Sequence, residues 1–114
     1  MIETILMNAL ERGTGVPAFM EMPENPPQRF FVIEKTGGGQ RGYQQRTAVM
    51  AVQSYGESLL SAAQLNEQAL DLLRDLAFTE ETVITCEMNS SYNFTDTRTK
   101  RYRYQAVFDL VYFA

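Results

Sequence analysis

Residues 34 to 47, EKTGGGQRGYQQRT, place four glycines within six positions, between Lys35 and the tip beyond Arg41. Glycine-rich segments bind phosphate when their backbone N–H groups converge at a helix start. A P-loop also needs a lysine and then Ser or Thr directly after its last glycine. Gly42 is followed instead by Tyr43-Gln-Gln-Arg, and the residues beyond read as a strand. A dinucleotide fingerprint fails for the same reason, because no helix N-terminus stands ready for the phosphates. The segment reads as a flexible hairpin tip, and loops of this length are often binding elements.

A second stretch, RTKRYRY at 98 to 104, interleaves Arg98, Lys100, Arg101 and Arg103 with Tyr102 and Tyr104. Single-stranded nucleic-acid binders combine cations with stacking aromatics in this way. Strand alternation, however, sends the arginines and tyrosines to opposite faces. The tyrosines then pack into the sheet instead of stacking on bases beside the cations.

The chain contains no histidine. That removes Ser-His-Asp and Cys-His catalysis together with imidazole-based zinc sites. Cys86 stands alone, so no intrachain disulfide forms. It falls on the apolar side of its strand and reads as a buried structural thiol. Glu80 and Glu81 form an adjacent pair in a loop; Glu21 and Glu24 lie near prolines. Both pairs read as solvated charge, with nothing to build an acid–base dyad. No cluster has metal-ligand spacing. The expectation is therefore no catalytic residue, no cofactor and no metal.

The elements that position these residues follow from periodicity. Residues 2–12 repeat apolar side chains at helical spacing, and Gly13 and Gly15 stop them. Val16–Met22 is short and extended, and Pro23, Pro26 and Pro27 make a stiff turn. Arg29–Thr36 and Gln45–Tyr55 are the strands of a hairpin, with the glycine loop Gly37–Gly42 between them. Ser54-Tyr-Gly-Glu57 fits a capping box opening a long helix that runs to about Leu76. Its buried stripe is Leu59, Ala62, Ala63, Ala69, Leu70, Leu73 and Leu76, interrupted by Asn66. Val83–Phe94 and Arg101–Phe113 form a second hairpin through the polar turn Thr95–Lys100. In the first of these strands Ile84, Cys86, Met88, Tyr92 and Phe94 point one way. Thr85, Glu87, Asn89, Ser91 and Asn93 point the other. The order predicts an α+β fold: one domain over 1–114, a mainly antiparallel sheet of about four to five strands, and two helices on one face.

At 114 residues, the chain is long enough to bury about two thirds of its unfolded surface. A composition of 45% apolar and 21% charged residues is that of a globular protein. A net charge of −4 argues against a dedicated duplex-DNA binder, whose affinity comes from neutralising phosphates. Nothing at the N-terminus reads as a signal peptide and no stretch approaches a membrane span, so synthesis in the cytosol is expected. Without secretion, the glycosylation patterns at Asn89 and Asn93 are chance matches. The charges are patterned. Glu67, Asp71 and Asp75 fall four apart on the outer face of the long helix. Arg41 and Arg46 flank one hairpin tip, and Arg98, Lys100 and Arg101 occupy the other. Two readings stand: ordinary surface charge, or opposite patches that meet between copies and close a ring.

VPAFMEMPENPPQRFFVIEKTGGG, followed by TAVMAVQSYGESLLSAAQLNEQALDLL, resembles the small tail-completion or tail-terminator proteins of long-tailed bacteriophages and prophages. Val16-Pro17, the turn Pro23–Pro27, FVIEKTGGG and Ala51–Gly56 with its following helix carry the resemblance. Together they cover most of residues 16 to 76; the C-terminal strands agree in type only. The resemblance implies an α+β subunit of a ring, typically a hexamer, that caps the tail tube and joins it to the filled head. DNA passes through the centre without sequence-specific binding. It further implies a virion location, neither enzyme activity nor cofactor, and as partners other copies, the tail tube protein and a head-completion or connector protein. Gly37–Gly42 and Thr95–Arg101 are then expected to touch adjoining subunits or the next ring. A head-closure or head–tail adaptor ring is the neighbouring reading. A single-stranded nucleic-acid-binding domain using Arg98–Tyr104 is the reading from another class.

Overall fold

The computed structural model describes residues 1–113. Helix α1 spans Ile2–Thr14, followed by strands β1 (Ala18–Phe19), β2 (Phe30–Gln40) and β3 (Gln45–Tyr55). Helix α2 (Leu59–Arg74) and the single turn α3 (Leu76–Thr79) precede β4 (Val83–Asn93) and β5 (Arg103–Phe113). The strands form one sheet in the order β1-β2-β3-β5-β4. All pairings are antiparallel except β1 with β2. This is the expected α+β class, with α1 and α2 on one face.

The core explains why those helices lie there. Ile2, Leu6 and Leu10 recur on one side of α1; Ala62, Leu65, Ala69 and Leu73 do so on α2. They meet Phe31, Ile33, Met50, Val52, Phe108 and Leu110 from the sheet. Burying one such leucine stabilises by roughly 1.5–3 kcal/mol. A surface ion pair contributes roughly 0.2–1 kcal/mol. The apolar stripe, not the charged row, therefore fixes α2. Leu59, the first residue of α2, is exposed rather than part of the stripe, and Leu65, left out of the expected stripe, is fully buried in it.

The start of α2 has a local cause. The expected cap, Ser54, is still in β3 and fully buried. Ser58 caps α2 instead: its side chain accepts from the Ser61 amide at 3.0 Å. Gly56 makes the corner, since a Cβ there would come within 2.5 Å of the Ala62 backbone nitrogen. α1 likewise runs through Gly13 and ends at Gly15, whose φ of 72° is the left-handed C-cap glycine favours. Gly13 is where α1 meets the Leu72 side chain of α2.

The glycine stretch is mostly strand. Gly37, Gly38 and Gly39 pair with Val49, Ala48 and Thr47, so the expected long loop shrinks to Arg41–Gln44. Glycine is needed at 38 because a side chain would meet the Thr47 carbonyl oxygen at 2.7 Å. A register shift between Lys35 and Gly37 bulges β2 just before it. β4 carries two more shifts, between Val83 and Thr85 and between Met88 and Ser90. The second shift corrects the expected faces of β4. Cys86 and Met88 lie opposite Leu110 and Phe108 on the helix side, but Tyr92 lies opposite Gln105 on the other face, while Ser91 turns to the helices. Each extra residue reverses the alternation beyond it.

Candidate interaction surfaces

The two hairpin tips stand at opposite ends of a molecule 44 Å long. The pairing of Gln45 with Phe113 and of Tyr55 with Arg103 fixes this. At the first tip Arg41, Tyr43 and Arg46 are all exposed, Tyr43 at 88%. Positive φ at Gly42 and Gln44 closes the turn, and the Arg41 amide donates to the Gln45 carbonyl at 2.8 Å. At the second tip Arg98, Lys100 and Arg101 are exposed. Asp96 shapes that turn: its Oδ1 accepts from the Arg98 amide at 3.0 Å. That hydrogen bond, with help from Thr99 and the nearby Arg103 charge, holds the Asp96 carboxyl below the usual carboxylate range.

Arg103 does not join this exposed cluster. Its Nε donates to the Phe94 carbonyl and its Nη1 to the Tyr55 hydroxyl oxygen, at 2.6 and 3.0 Å. The guanidinium lies 4.4 Å from the Phe94 ring centroid. A polar row continues across the helix-free face. Tyr55 donates to Gln53, Gln53 to Gln105 and Gln105 to the Tyr92 hydroxyl oxygen, at 3.0, 3.0 and 2.6 Å. Phe30 stacks on Tyr55 with centroids 4.5 Å apart. Sequence reasoning missed this ladder because its members come from three strands. The in-register pairing of Gln53 with Gln105 is the signal that a hairpin alignment would have exposed.

Glu67, Asp71 and Asp75 are exposed on the outer side of α2, as the spacing predicts. The row is not purely acidic. Arg74 sits within it, 3.4 Å from the Asp71 carboxylate and 3.9 Å from Asp75. These are the ion pairs found among the described residues, and none of the tip cations takes part in one. The structure does not bring the tips and the row together within one chain.

Between α2 and β4 lies a cavity of about 430 Å³. Leu70, Cys86, Met88 and Phe108 line it with apolar surface, and Met88 is 53% exposed. Glu67, Asp71, Arg74 and Glu87 border it. Burial, reinforced by the Glu87 charge, pushes the Cys86 thiol up to about 12. The thiolate needed for nucleophilic or metal chemistry is thus disfavoured. Above this groove Asn66 is buried in α2 and donates from Nδ2 to Ser91 Oγ at 2.9 Å, tying the helix to the edge strand.

Among the described residues no three His, Cys, Asp or Glu side chains gather to hold a metal ion. Among them, too, no helix is long and apolar enough to cross a membrane. The surfaces are suited to contact: an aromatic between two cations on a tip, and an apolar groove with acids on its margin. No protein-family model matches the chain, and neither does any curated protein.

Proposed function

We infer that this chain is a structural virion protein that assembles into a ring capping a phage tail tube and joining tail to head, with DNA passing through the centre. The observation that carries the reading is the distribution of charge. Among the described residues, cations without ion-pair partners stand at both ends of the molecule, acids run along α2, and no intrachain ion pair joins them. Opposite patches at different places on one chain are complementary between copies, and a head-to-tail contact closes a ring when the rotation allows. The segment order that resembles tail terminators supplies the setting, and the α+β fold agrees with it. The role is structural, without catalysis or cofactor, and the partners are further copies, the tail tube protein and a head-completion protein.

Size in solution tests the assembly. Sedimentation velocity over a range of concentrations should show a discrete oligomer, of hexamer size on this reading, with ring-shaped particles by negative-stain microscopy. A strict monomer, also when a tail tube protein is added, would sink the proposal. Binding to purified tube ends separates a terminator from a head-side adaptor, which would prefer portal complexes. The single-stranded nucleic-acid reading has less support, because Arg103 is occupied by Tyr55 and Phe94. Salt-sensitive oligonucleotide binding, lost in Arg98→Ala with Arg101→Ala, would revive it.

A further inference from the structure

We propose that the β2–β3 tip of one copy docks into the α2–β4 groove of the next, with Tyr43 as the anchor; this rests on the ring reading above. The occupant follows from charge and shape. The groove has an apolar lining, and three acids, Glu67, Asp71 and Glu87, border it against the single cation Arg74. It suits an aromatic side chain carried between positive charges. Tyr43 at 88% exposure, with Arg41 two residues before it and Arg46 three after, is such a group. The other prominent aromatic, Phe78 at 89% exposure, is followed by Glu80 and Glu81 and would bring like charge to an acidic margin. The second tip carries cations but no exposed aromatic among Thr95–Arg101.

Tyrosine and arginine are the side chains that most often anchor interfaces, at well-packed central pockets. The turn that presents Tyr43 is closed by the Arg41–Gln45 backbone hydrogen bond, so little backbone order is lost on docking. Tip and groove are different patches of one chain. The contact is therefore head-to-tail, and it propagates until the ring closes.

Two exposed positions test it: Tyr43→Ala removes the anchor, and Met88→Lys blocks the groove with little risk to folding, which circular dichroism checks. Each variant alone should associate about thirtyfold or more weakly than the wild type and run as a monomer. Mixed, they should give a heterodimer and nothing larger, because one intact tip then meets one intact groove. Phe78→Ala should assemble like the wild type. If both variants still form wild-type oligomers, the docking proposal falls while the ring reading stands. The docking proposal also falls if the mixture gives no dimer, or if Phe78→Ala is the variant that dissociates. A wild-type chain that remains monomeric at every concentration overturns the docking and leaves the ring reading to the tube-protein experiment.

Discussion

Two serines four residues apart have opposite roles. Ser58 caps α2, so Ser58→Ala should cost about 0.5–2 kcal/mol in urea denaturation. Ser54 is buried with no partner for its hydroxyl. A buried unsatisfied polar group costs about 1–3 kcal/mol, so Ser54→Ala should leave stability unchanged or raise it. The capping-box pattern predicts the reverse, and it misled because Gly56 lets the strand run on before the chain turns. The close approach of Gly56 to the Ala62 backbone was invisible in the sequence. Gly56→Ala should lower stability by about 1–3 kcal/mol, seen as a lower melting temperature. Cys86, by contrast, lies on the helix side of its strand as alternation indicates, though it is half-buried at the groove rather than fully buried as expected. Its folded value of about 12 lies above the ordinary 9.0. The unfolded chain therefore loses this proton first. The thiol's contribution is fully present below that ordinary value and is lost as pH rises through the folded one. Maleimide labelling at pH 8 should be slow in the native chain and fast in urea.

The elements were legible where periodicity was clean and obscure where one inserted residue broke it. Both hairpins, α1 and the long helix follow from apolar spacing. The faces of β4 did not, because the shift between Met88 and Ser90 reverses the alternation, and bulges leave no residue-type signature. Asn66 interrupts the apolar stripe of α2 from a core position, as the spacing indicated, while Leu65 was missed. The bond from Asn66 to Ser91 makes it part of the packing rather than a gap in it. Leu65→Ala should then cost about 2–5 kcal/mol. Leu59→Ala, at an exposed position, should stay within about 0.5 kcal/mol. Equal losses at the two sites would contradict this registration of the helix. The glycine segment was misjudged for a related reason: strand pairing persisted through three glycines because Thr47, Ala48 and Val49 supplied continuous partners.

For the whole molecule, the α+β class was readable because the order of elements allows few arrangements. The placement of charge was readable only in part. Sequence gives a basic tip and an acidic row; it does not give their distance, or the Arg74 that partly neutralises the row. It also gave no hint of the groove, whose lining comes from a helix and two strands distant in the chain. If complementary charge between copies drives association, raising salt should weaken it, because screening shortens the reach of exposed charges to about 10 Å at 0.1 M. Sedimentation at low and high salt measures this. Insensitivity to salt would assign the contact to apolar burial alone.

The sheet has two margins. β1 pairs with only Phe31 and Val32, so the far half of β2 is unaccompanied, and β4 closes the opposite side. Unpaired amides along such margins recruit any extended chain that drifts past. Here each margin is kinked, β2 beside Gly37 and β4 at two places. A kinked margin cannot template the straight, stacked strands of a fibril. Removing Thr36 to straighten β2 should therefore make the protein prone to thioflavin-positive aggregation.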